Sequence, residues 1–73
     1  MPVNAMPIYH IRVQGQLDPS WSDWLGGLEI DAQTDDETVL TGPIADRAAL
    51  HGILDKLYAL NLTILAVVQV KLD

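Results

Sequence analysis

The residue pattern predicts an α+β sandwich in which four antiparallel strands form one sheet and two helices pack on one face of it. Three observations carry this expectation. Alternating apolar residues recur in four short runs, two aspartate-capped segments carry apolar residues at helical spacing, and their order is βαββαβ within 73 residues.

The first run, Ile8 to Gln14, places Tyr9, Ile11 and Val13 on one face and His10, Arg12 and Gln14 on the other, the pattern of a half-buried strand. In the next segment Asp18 suits a helix N-cap, and Pro19 the first helical position, where its missing N–H is no loss. Trp21, Trp24, Leu25 and Leu28 follow at spacings of three and four, and Gly26-Gly27 supplies a left-handed stop. This predicts a helix of about two turns, with the two indoles filling core volume in a chain that has no phenylalanine.

A second strand alternates Leu28, Ile30 and Ala32 with Glu29, Asp31 and Gln33, and Asp35-Asp36-Glu37 makes the tip of a hairpin. In the third strand, Thr38 to Gly42, Leu40 is assigned inward because Gly42 then shares its face and lets a neighbour approach closely. Pro43 ends that strand. Asp46 caps the main helix, whose stripe is Ala49, Leu50, Ile53, Leu54, Leu57 and Leu60. Asn61 suits the left-handed residue after the last turn, and Leu62 the apolar contact that accompanies such an end. The final strand, Ile64 to Leu72, is rich in β-branched residues. Simple alternation puts Ala66, Val68 and Val70 inward and Leu65, Val67, Gln69 and Lys71 outward.

Two right-handed split crossovers then give a ferredoxin-like sandwich with strand order 4-1-3-2. One sheet face lies under the helices, and nothing in the chain remains to cover the other. Met1 to Pro7 reads as a flexible N-terminal segment and residues 8–73 as a single domain.

Composition narrows the function classes. The chain has no cysteine, so it has no disulfide, zinc-thiolate or redox dithiol to reinforce a core that is marginal at this length. Self-association is the remaining support. A formal charge of −6 repels nucleic acid and anionic lipid. No basic-then-apolar leader begins the sequence, and the apolar stretch Leu60 to Val70 falls far short of the roughly 20 residues of a membrane span. The expected location is cytoplasmic.

The string Ile11-Arg12-Val13-x-Gly15-x-Leu17-Asp18-x-x-Trp21-Ser22-x-Trp24, with Gly27-Leu28-x-Ile30, Glu37-Thr38-x-Leu40-x-Gly42-Pro43 and Ala48-Ala49-Leu50-His51-Gly52-x-Leu54, resembles a family of short, uncharacterised bacterial proteins. The resemblance runs from Tyr9 to Val70. It implies a complete bacterial domain and no particular activity, cofactor or catalytic residue.

Few residues carry chemistry. His51 and Asp55 lie four apart on the main helix, but a third metal ligand is missing, and His10 is expected on the opposite side of the sheet. The acidic tip lacks the spaced oxygens of a calcium loop. No triad, anion-cradling arginine or Cys-x-x-Cys is present, so no catalytic residue, cofactor or metal is assigned. The RNA-binding version of the fold needs aromatic residues on the open sheet face, whereas Tyr9 falls on the buried parity.

The leading expectation is a non-enzymatic interaction module that forms a homodimer through the open sheet face or a sheet edge, with His10, Arg12, Val39, Leu65 and Val67 at the interface. The alternative is a sensor of the ACT type that binds a small polar metabolite at Gly15, Gln16 and Asp18, in the loop between the first strand and first helix. A third reading is a cofactor-independent enzyme with His10 or His51 as base in a dimer pocket.

Overall fold

The computed structural model describes residues 7–32 and 36–72. The elements are β1 (Pro7–Gln14), a 3₁₀ turn (Pro19–Ser22), β2 (Glu29–Ala32), β3 (Glu37–Pro43), α1 (Arg47–Ala59) and β4 (Thr63–Leu72). All strand pairs are antiparallel, in the order β2-β3-β1-β4, which read from the β4 edge is 4-1-3-2. The molecule is therefore α+β, with one four-stranded sheet and one α-helix. Met1 to Met6, Gln33 and Asp35, to which the sequence assigned a flexible segment, an outward strand position and part of an acidic tip, lie outside the described residues.

The expected first helix is replaced by a single 3₁₀ turn. Asp18 does cap it, accepting the Ser20 N–H at 2.9 Å, and Pro19 opens it. Only six residues lie between Pro19 and Gly26, and Gly26 and Gly27 adopt φ of 81° and 82°. Helix nucleation needs more bonds than so short a run of weak helix formers can supply. The chain turns instead: Leu25 N–H bonds the Trp21 and Ser22 carbonyls, and Gly27 N–H bonds that of Ser22. Leu25 and Leu28 still reach the core, but Trp21 and Trp24 do not. Loss of the second turn removes the face that would have carried both indoles inward.

α1 forms where its caps predict. Asp46 accepts the Ala49 N–H at 2.9 Å. At the other end Asn61 takes φ 66°, its N–H bonds Tyr58 O, and Leu62 N–H bonds Leu57 O. That six-residue closure satisfies helix carbonyls which would otherwise lack partners. Ile53 and Leu57 are buried, and Leu50, Leu54 and Leu60 pack half-buried beside them. Ala49, at the margin of the stripe, is exposed.

Cross-strand rows define the sheet's two faces. The covered face carries the row Ile30-Leu40-Ile11-Val67 and the row Ala32-Thr38-Val13-Ile64, with Ala32 exposed at the β2 edge. Ile11, Val13 and Leu40 are fully buried. Leu17 and Ile44, which lie outside the regular elements, complete the core with Leu25 and Leu28.

β4 departs from simple alternation. Ile11 faces Val67 and Arg12 faces Ala66, but Val13 faces Ile64, so Leu65 is an extra residue at a bulge; a second shift leaves Val70 unpaired. Directly opposed residues in an antiparallel pair share a face. Val67 therefore lies on the covered side with Ile11, and Ala66 and Val68 lie on the open side with Arg12 and His10. The inward assignment of Ala66 and Val68 is thus corrected: one inserted residue reverses strand parity relative to the helix end.

Candidate functional site

Two regions hold the residues singled out from sequence. The first is the loop after β1. Gly15 adopts φ 122°; its N–H bonds Asp36 O, and its carbonyl accepts the hydroxyl of buried Thr38 at 2.9 Å. Leu17 is buried, and the Asp18 carboxylate is engaged with Ser20 N–H. Gln16 is exposed, with a partner of its own. Gly15 and Asp18 thus tie the loop to β3 and to the 3₁₀ turn, and a ligand at either would compete with bonds already made.

The second region is the open face with its β4 edge. Its polar part is built by the rows Glu29-Thr41-His10-Val68 and Asp31-Val39-Arg12-Ala66. Arg12 Nε lies 3.1 Å from Glu37 Oε1, one step diagonally along β3, with both side chains substantially exposed. Such a pair contributes at most about 1 kcal/mol. His10 is exposed and Val39 half-buried. Apolar surface is concentrated at β4, where Leu65, Val67, Val68 and Val70 are 42%, 38%, 51% and 52% exposed.

The five interface candidates are thus not one patch. His10, Arg12 and Val39 share the open face, Val67 sits on the other side of β4, and Leu65 marks the bulge. Ala66 and Val68, assigned inward from sequence, are the apolar residues that border His10 and Arg12. A bulge has no composition signal in the Ile64-Leu65-Ala66-Val67-Val68 run, so register had to come from pairing.

The two sheet edges differ. β2 is four residues long and carries Glu29 and Asp31. β4 is ten residues long, and Thr63 to Val70 contains neither charge nor proline. Short length, charge, proline and bulges are the usual protections of a sheet edge. β2 has short length and charge, whereas the Thr63 to Val70 span of β4 has only its bulges at Leu65 and Val70.

Away from β4, Trp21 and Trp24 lie exposed with ring centroids 5.3 Å apart at 59°. Lys56 Nζ donates to Trp24 O at 2.8 Å and sits 5.4 Å from the Trp24 ring centroid, which fastens the turn to α1. His51 and Asp55 are exposed on α1. Among the described residues no three His, Cys, Asp or Glu side chains gather to hold a metal ion, and no helix is long and apolar enough to cross a membrane.

A family model described as a domain of unknown function, DUF8691, matches residues 8–68, from the second residue of β1 to the open-face Val68. The chain belongs to that family. The DUF8691 match takes in the whole covered face, the loop at Gly15 and most of the β4 edge, and it brings no activity with it. No curated protein and no solved structure shows significant similarity to the chain.

Proposed function

We propose that this chain is a non-enzymatic interaction module of the bacterial cytoplasm that works by self-association. One observation carries the reading: β4 is an edge strand whose Thr63 to Val70 span bears no charge and leaves four large apolar side chains exposed. The framework is read as ferredoxin-like, with the first helix reduced to a turn, and the strand order supports that reading. The absence of cysteine fits a reducing compartment.

The energies are of the right size. Covering the exposed half of a Leu or Val side chain is worth about 1 kcal/mol, and because Val67 and Val68 lie on opposite faces an edge partner covers each only in part, so four such residues on each of two copies supply at most about 8 kcal/mol. New main-chain bonds add about 0.5–1.5 kcal/mol each, against an association cost of about 4–15 kcal/mol. The dimer therefore forms reversibly and dissociates on dilution.

Light scattering across a dilution series tests this. The wild-type mass should fall from dimer to monomer as the protein is diluted. Val68→Glu, which alters an exposed side chain, should remain monomeric and folded by circular dichroism. A wild type monomeric at every concentration would sink the proposal.

A further inference from the structure

Resting on the self-association proposed above, we infer that the second copy joins at the β4 edge and not on the open face, as an antiparallel β4 pair whose two-fold axis passes at Val67. The resulting sheet would have eight strands.

The charge distribution selects the edge. With a net charge of −6 the copies repel each other, so contact is favoured where charge is absent. The open face carries Glu29, Asp31, Arg12 and Glu37, and a face-to-face dimer would bury these groups. The β2 edge carries two carboxylates that would meet their own copies. Thr63 to Val70 carries no charge at all. Pairing β4 with β4 is also closed, since each copy spends its uncharged edge. A β4-to-β2 contact would instead leave an edge free at each end and grow into a filament.

The register follows from the faces. In an antiparallel self-pair, opposed residues share a face, so the axis must pass at a residue that meets its own copy. An axis at Ala66 sets Ile64, on the covered face, against Val68, on the open face, because of the bulge at Leu65. An axis at Val68 sets Val67 against Gln69 and Leu65 against Lys71. An axis at Val67 pairs Val67 with itself, Ala66 with Val68, Leu65 with Gln69 and Ile64 with Val70, and leaves Lys71 opposite Thr63. This register sets the open-face Ala66 against the open-face Val68 and keeps the lysines at the ends.

The chain has no cysteine, so single-cysteine variants report pairing without background. Directly opposed Cα atoms lie about 4.5–5.5 Å apart, within the range a disulfide spans, whereas diagonal neighbours at about 7–8 Å do not. Under mild oxidation Val67→Cys should cross-link to most of completion. Ala66→Cys and Val68→Cys should each cross-link poorly alone and efficiently when mixed. Light scattering of the reduced variants runs alongside. Dimeric mass with cross-linking at Val39→Cys and not at Val67→Cys would place the partner on the open face and overturn this inference while leaving self-association intact. Dimeric mass with Val68→Cys cross-linking alone would overturn the register. Monomeric mass in both the wild type and the reduced variants would remove both proposals together.

Discussion

Replacing Gly15 by alanine strains one point of the fold in two independent ways. At φ 122° an L side chain is strained, at about 1–3 kcal/mol. A Cβ there would also lie 2.7 Å from Leu62 Cδ2, the tip of a side chain that must swing aside, at about 1 kcal/mol more. The sum is about 2–4 kcal/mol, against a total of about 4–11 kcal/mol expected for 73 residues. With a urea slope of about 1 kcal/mol per molar, the unfolding midpoint should drop by about 2 M or more. The second variant separates the causes. In a Leu62→Ala background the obstructing methyl is gone, so Gly15→Ala should cost only the backbone part, and the double-mutant cycle should return a coupling of about 1 kcal/mol. A Gly15→Ala midpoint within experimental error of the wild type would refute the reasoning.

Further substitutions test the helix. Leu57→Ala empties a fully buried site and should cost about 2–5 kcal/mol, whereas Leu54→Ala, half-buried, should cost clearly less in the same urea titration; equal costs would mean that α1 is rotated about its axis. Asp46→Ala removes the acceptor of the Ala49 N–H and should lower stability by about 1 kcal/mol, read by thermal melting, with Asp46→Ser largely restoring it.

How much of the fold is legible in sequence depends on whether the deciding force is local. Asp18, Asp46 and Asn61 are read correctly because each cap bonds a backbone group within a few residues. The parity of β1 is legible because its polar residues are charged or amidic and its apolar ones large. β4 offers no such contrast: Leu65, Ala66, Val67 and Val68 are apolar on both parities, and the bulge that reverses them depends on pairing with Arg12 and Val13. The tryptophan pattern misleads because helical spacing does not establish helical length. Trp21 and Trp24 keep their mutual contact in a shorter turn and turn outward together. Ile44 and Leu17 escape notice because they sit in irregular segments, where no periodicity flags a buried residue. In the candidate site, the open-face positions of His10, Arg12 and Val39 are legible, and the faces of Val67 and Val68 are not.

The central position of β1 has a consequence for how the chain acquires its structure. β1 comes first in sequence, yet its two neighbours are β3 and β4, and its ladder to β4 links Gln14 with Thr63 and Pro7 with Leu72. Every contact in that ladder closes a loop of about fifty residues or more, while among the described residues the β2-β3 hairpin is the local strand pair. Folding dominated by such distant pairings runs on the millisecond-to-second scale, slower than a helical bundle of equal length. During synthesis α1 and the β2-β3 hairpin can form before β4 is available, but Ile11 and Val13 then have an open flank where Val67 and Ile64 will later lie. Closure of the core waits for β4.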